Sequence, residues 1–314
     1  MEENTGIEKK DAAEAGEKIS VSTEEKLKEI VTQVNESDIS SIKSTVSAII
    51  QVINDPKSSA KDLKPIIEVD PPLTAKMLRL ANSAFYGYPK TINDIQEAVV
   101  CIGFDAIKEL ALSQKVSELF NQDDPFAGYS RAVLWKHSIA VGLCGKLLYQ
   151  KLLKEKGDNI YVTGLLHDIG IIVEDQFLLS EFYYVLDNTG PGKANFPEVE
   201  RATMGYDHSD IGRAVAEDWQ FPDELSAAIG RHHNPDEVAE EFAKITSALY
   251  IANFVCQSRG IGYCDAPNKD YKQFENCRKK LNALSKVNIT EKMIDGIIDE
   301  VQDNIRKMEK AGWI

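Results

Sequence analysis

Gly164-Leu165-Leu166-His167-Asp168-Ile169-Gly170 decides how this chain is read. Two leucines carry an apolar helix directly into a histidine and an aspartate. A plain core has little use for that pair, because burying an ionised carboxylate is costly unless it is paired or bound to a cation. Outward from this point the apolar residues keep recurring at three or four positions. Ile42, Val46, Ile49, Ile50 and Ile53 form one such stripe, stopped at Asn54-Asp55-Pro56. Leu63, Ile66 and Ile67 form a second, and Ala75, Leu78 and Ala81 a third. That period is the signature of amphipathic helices, and no alternating strand pattern of useful length interrupts it. The fold class expected is all-α, with two helical lobes divided near Asp123-Asp124-Pro125 and Gly128.

The periodicity places helices at 74–81, 95–102 and 105–120 in the first half. In the second half it places them at 130–154, 160–168, 172–187, 197–218, 223–233 and 238–258. Two more are expected at about 270–285 and 290–311, after a loop at 260–269 that holds two glycines and a proline. The resulting division is an acidic disordered tail at 1–22, an N-terminal lobe at 23–126, a second lobe at 127–258 and a C-terminal helical extension at 259–314. Residues 23–35 are expected to form an amphipathic helix, with Leu27, Ile30, Val31 and Val34 docked on the first lobe.

Charge and composition narrow the function. The 314 residues hold 36 Lys and Arg against 50 Asp and Glu, a formal charge of −14. Nucleic acid and anionic membranes are therefore not default partners, since both require clustered cations. Five cysteines without a CxxC pair suggest neither a disulfide framework nor a thiolate zinc site. No basic-then-apolar leader and no run of 18 apolar residues occurs, so a cytoplasmic protein without a spanning helix is expected.

All five histidines lie in the second half: His137, His167, His208, His232 and His233. Imidazole and carboxylate are the usual ligands of iron, manganese and zinc, and helical bundles build metal sites from inward side chains on several helices. A lone histidine is more simply a core or surface residue holding one hydrogen bond. The adjacent His167-Asp168 and His232-His233 weigh against that reading.

In this order, His137, His167-Asp168, His208 and His232-His233, the chain resembles the HD superfamily of metal-dependent phosphohydrolases. More specifically, it is similar to the HDOD family, the HD-related output domain of bacterial signalling proteins. The stretch from Asp70-Pro71-Pro72-Leu73-Thr74 through Asn82-Ser83-Ala84 carries that likeness, as do Ala98 to Gly103 and Trp219-Gln220-Phe221-Pro222. The resemblance runs from roughly residue 38 to 237. It implies an HD-like bundle in the second lobe and a divalent Fe, Mn or Zn held by His137, His167, Asp168, His208, His232 and His233. The last HD ligand is an Asp in the active relatives. Here Asn253, a neutral and weaker metal ligand, takes that place, and Asp207, Asp210 or water could supply an alternative ligand. The cyclic-di-GMP phosphodiesterase branch has a Lys where this chain has Ile171, and a Gly-Tyr-Pro segment after its His pair, where this chain runs Asn234-Pro235-Asp236-Glu237. The reading that follows is a signal-transduction regulator with no catalytic residues, acting by binding a protein partner or a small-molecule ligand. The alternative is a metal-dependent phosphohydrolase acting on a nucleotide or phosphodiester.

Overall fold

The computed structural model describes residues 23–83, 85–121 and 125–313. The tail expected to be disordered, 1–22, lies outside them. Among the described residues the chain is all-α, and the only extended pairings are two isolated bridges, Phe126 with Tyr129 and Thr189 with Ala194. No described helix is long and apolar enough to cross a membrane.

Helix α1 spans residues 23–35. The first half continues with α2 (Lys43–Asn54), α3 (Ala60–Glu68), α4 (Pro71–Ala81), α5 (Ile95–Ile102) and α6 (Phe104–Val116). Helix α2 buries Val46, Ile49, Ile50 and Ile53, the stripe its sequence displays. Helix α4 starts three residues before the periodic pattern. Asp70 caps it by accepting the Leu73 N–H at 3.0 Å, and Pro71 occupies the first turn, where no backbone donor is needed.

The second half holds α7 (Arg131–Leu147), α8 (Asp158–Leu166), α9 (Ile169–Phe177), α10 (Leu179–Asn188), α11 (Phe196–Met204), α12 (His208–Asp218), α13 (Asp223–Gly230) and α14 (Ala243–Ser258). Helices α15 (Tyr271–Ser285) and α16 (Glu291–Lys310) follow, packed on α14 and α7 respectively. Helix α7 runs between α8 and α14, and α9 lies against α12. These contacts assemble the bundle around the histidines.

Two readings from periodicity are corrected. The segment 172–187 is two helices meeting at Leu178, and 197–218 is also two. Gly205 leaves the helix at φ +88°, and the Asp207 carboxylate then caps α12 by accepting the Ser209 and Asp210 N–H groups. Periodicity missed both breaks because the apolar rhythm runs through them. Helix α1 buries Ile30 and Val34 as expected, and its polar contacts reach both halves, with Lys43 Nζ donating to Asn35 Oδ1 at 3.2 Å in the first. Lys26 Nζ donates to Met204 O at 3.4 Å and Asn35 to Asp218 at 3.0 Å.

The two halves of α4's cap test the fold. Asp70 also accepts from Lys115 Nζ at 2.6 Å, with both side chains largely buried. Burial alone would raise the Asp70 carboxyl, but Lys115 and the Leu73 N–H outweigh it and hold the group below its ordinary value. Its stabilising contribution is therefore complete above about pH 4, the unfolded value, and is lost as pH falls through the lowered folded value. Asp70→Ala should cost about 2–3 kcal/mol in urea unfolding at pH 7. The deficit should shrink toward pH 2–3, and a loss independent of pH would count against the ion pair.

Candidate metal centre

His167 is the residue that follows α8, and His232 lies two residues beyond α13. The last carbonyls of a helix have no partner within it. Both rings use one: His167 Nδ1 lies 2.9 Å from Gly164 O, and His232 Nδ1 lies 2.7 Å from Ile229 O. A carbonyl can only accept, so each Nδ1 carries the proton and each Nε2 keeps its lone pair. His137, in mid-α7, follows the same logic, with Nδ1 3.1 Å from Ile261 O. His208, the first residue of α12, turns Nδ1 to the Glu200 carboxylate at 2.8 Å. Four imidazoles are thus oriented with Nε2 inward, which is the way an outer hydrogen bond fixes a metal-binding histidine.

Asp168 lies between them. Its Oδ2 is 3.1 Å from His167 Nε2 and 3.9 Å from His137 Nε2. Its Oδ1 is 3.5 Å from His232 Nε2 and 3.6 Å from His208 Nε2. One carboxylate therefore faces two sets of donors. The first set is His137, His167 and Asp168. The second is His208, His232, His233 and Asp265, whose ligand atoms all lie within 4.8 Å of one another. The six His and Asp residues singled out in the sequence meet in one place.

Gly170 makes this approach possible. A Cβ there would sit 1.9 Å from the His208 carbonyl oxygen, so only glycine lets the start of α9 abut the start of α12. That contact sets Asp168 beside His208.

Asp265 was not legible in the sequence, since it stands in the irregular loop between α14 and α15. Its Oδ2 lies 3.1 Å from His233 Nε2 and 3.6 Å from His208 Nε2, and Gln257 donates to its Oδ1. The expectation that Asp207 or Asp210 replaces the missing Asp is corrected. Asp207 is taken up by the cap of α12 and by Arg201 at 2.8 Å, and Asp210 pairs with Arg201 at 3.2 Å. Asn253 contributes less than a carboxylate would, with Oδ1 3.0 Å from His137 Nε2.

The fit of this pocket to a cation can be judged on its own atoms. Both oxygens of Asp168, Asp265 Oδ2, His167 Nε2 and His232 Nε2 are sealed from solvent with no hydrogen-bond partner. Burial opposes the charge on Asp168, yet His167, His232 and His208 hold its carboxyl well below the usual range. The same balance, led by His233, holds Asp265 low. Burial pushes His137 down and His233 down to about 4, so both rings are neutral at pH 7. Burial also opposes charge on His208, but Asp168, Asp265 and Asp207 together raise it. Ionised Asp168 and Asp265 lie among rings of which His137 and His233 are neutral, and a divalent ion would supply the positive charge they call for. The mixed nitrogen and oxygen donors suit Fe, Mn or Zn.

An outer pair of acids backs His208. Burial pushes Glu174 and Glu200 well above the carboxylate range, and both Glu174 oxygens are buried without a hydrogen-bond partner. Sequence reading missed both, because an isolated Glu inside a helix carries no motif. The centre opens to a cavity of about 290 Å³ bordered by His232, His233 and Asn253, with Arg201, Lys269 and Phe254 on its walls.

The model of the HDOD domain matches residues 39–235, nearly two thirds of the chain. The chain belongs to the HDOD family. Its fold resembles an HDOD domain protein of unknown function from Geobacter sulfurreducens, 27% identical, with a TM-score of 0.73 over 84% of this chain and 90% of that one. A provisionally named phosphohydrolase from Shewanella amazonensis shares the fold at 22% identity and a TM-score of 0.58, over 86% of this chain and 91% of that one. An uncharacterized protein of Treponema pallidum is 28% identical over 225 residues, 69% of this chain but only 42% of that protein. The family match stops short of Asn253 and Asp265, so the loop that closes the centre lies beyond it.

That loop is held by Gly262, whose φ is +75° and whose Cβ, if present, would meet the His137 backbone nitrogen at 2.6 Å. Gly262→Ala should cost about 1–3 kcal/mol and speed amide exchange across 260–270. Unchanged melting and exchange would show that another contact seats Asp265.

Proposed function

We propose that this HDOD protein is a signalling regulator whose second lobe binds two divalent transition-metal ions, and that it acts by binding rather than by turnover. The observation that carries this is Asp168, whose two unpartnered oxygens face separate histidine sets. His137 and His167, with Asn253 alongside, would hold one ion on Asp168 Oδ2. His208, His232, His233 and Asp265 would hold the other near Oδ1. Bound there, such ions supply Lewis acidity toward a phosphoryl or carboxyl oxygen. The protein's own groups orient the donors, exclude water from all but the mouth, and place Arg201 and Lys269 where an anionic ligand would enter.

Turnover needs more than this. A phosphodiesterase must also contact the phosphate with a cation and protonate the leaving oxygen. Ile171 is fully buried and offers neither. Arg201 is already paired with Asp207 and Asp210. A phosphohydrolase is nevertheless the second reading, and Asp265 favours it by supplying a carboxylate that Asn253 does not.

One measurement tests the metal centre and a second separates the two readings. After anaerobic reconstitution with Fe²⁺, Mn²⁺ or Zn²⁺, mass spectrometry should find close to two ions per chain. Asp265→Ala should retain about half of that, and Asp168→Ala should weaken binding at least ~10-fold. Less than one ion in the parent protein would sink the metal centre. Incubated with Mn²⁺ or Fe²⁺, the protein should leave cyclic-di-GMP intact. Turnover near ~1 s⁻¹ that disappears in His167→Ala would establish the hydrolase instead.

A further inference from the structure

The second set of donors is closed to solvent. Asp168 Oδ1, His232 Nε2 and Asp265 Oδ2 are all sealed, so no ion reaches them unless part of the chain moves. Local opening is easiest where few apolar contacts hold the backbone. Residues 264–269, between the buried Tyr263 and the cap of α15 at Asp270, meet that condition. Asp265 is the one buried residue among them, and it is polar. Space lies on both faces of the segment. Ala266, Asn268 and Lys269 stand in the wall of the 290 Å³ cavity at the mouth of the centre. Behind them, Cys264 and Pro267 border another cavity of about 490 Å³, with Gly190 and Pro191 opposite.

Hydrogen bonds, rather than packing, fasten this segment. Asn268 N–H donates to Asn195 Oδ1 at 2.9 Å, and Asn195 Nδ2 donates to Asn268 O at 3.2 Å. The Asn268 side chain accepts from Gly192 N at 3.2 Å and donates to Lys193 O. Nearer the centre, Phe196 N donates to Asp265 O at 2.8 Å. From α14, Gln257 donates to Asp265 Oδ1, and its carbonyl accepts from Lys269 Nζ at 3.3 Å. The bonds of the asparagine pair are exposed, where water competes for each partner and the net gain is small. The residues just before the segment are held firmly. Tyr263 packs edge-on against Tyr129 and Phe196, and Gly262 abuts His137.

We propose that residues 264–269 form a lid on the second donor set, and that the Asn195–Asn268 pair is the latch that sets how fast a divalent ion enters and leaves. The proposal rests on the metal centre described above and adds the control of access to it. Because Asp265 rides on the lid, opening withdraws one ligand and uncovers His208 and His233 in the same motion. An ion held by Asp265 keeps the lid shut.

Asn268→Ala in the full chain tests this. Asn268 is exposed and lies outside both donor sets, and the substitution spares Asn195, which caps α11. The Phe196 amide reports on the lid, because its bond to Asp265 O is not one that the substitution removes. In the metal-free chain labelled with ¹⁵N, hydrogen exchange at Phe196 should quicken about 10-fold, while amides within α8 keep their rates. Loaded with Zn²⁺, the variant should yield its ion to excess chelator about 10-fold faster than the parent and take it up faster in like proportion, with the ions per chain unchanged. Unaltered exchange at Phe196, or a quickening that extends equally to α8, overturns the lid. Zinc released at one rate by both proteins, or faster release without faster uptake, overturns the latch as a gate. A parent chain that binds no zinc defeats the metal reading itself and the gate with it, and the ion count tells that failure from the others.

Discussion

Asp168 is a buried carboxylate held in its ionised form, with imidazole nitrogens on both sides and no hydrogen-bond partner for either oxygen. Much of the second lobe is arranged around that constraint. The charge cannot be hydrated, so positive charge must come from the rings or from a cation they hold. Each ring that faces it is in turn fixed from behind, His137, His167 and His232 by carbonyls and His208 by Glu200. The unsatisfied ends of α8 and α13 thereby become orienting groups, which joins the stability of those helices to the geometry of the centre.

The outer layer extends the same argument. Glu174 on α9 and Glu200 on α11 are both fully buried, and each lies on a different helix from the ring they support. Burial opposes ionisation of both and holds them toward the protonated form. Their role is to set the ring of His208 and the charge behind it. Asp265 serves on the open side. Because it rides on a loop seated against His137 through Gly262, the segment after α14 belongs to the centre as much as the helices do.

Two of the cavities differ in character. One is polar, leads to the histidine cluster and has cations on its wall. The other is lined by Phe85, Tyr86, Trp135, Tyr161 and Trp313 among aliphatic and polar side chains, and sits between the first half of the chain and α16. The Asn82-Ser83 stretch between α4 and the aromatic loop helps shape the second. Asn82 exchanges two 2.8 Å hydrogen bonds with the Ile92 backbone and so closes the loop that carries Phe85 and Tyr86. The same stretch carried part of the family likeness, and its measurable role is this local closure.

The helical class and the family were legible in the sequence, as were six residues that the fold brings together. Helical period and caps are local, read within a few residues of one another, and adjacent pairs such as His167-Asp168 stand out against an apolar run. The sequence did not separate α9 from α10 or α11 from α12, because one apolar rhythm continues through each break while the caps act at a single residue. Tertiary structure alone decided that Asp168 looks two ways, that Glu200 stands behind His208 and that Asp265 rather than Asp207 or Asp210 reaches the rings. Those relations join residues far apart in the chain, and Asp265 lies in a loop whose side chains follow no period. Only the close approach of α9 to α12 at Gly170, and of the loop to α7 at Gly262, brings them together.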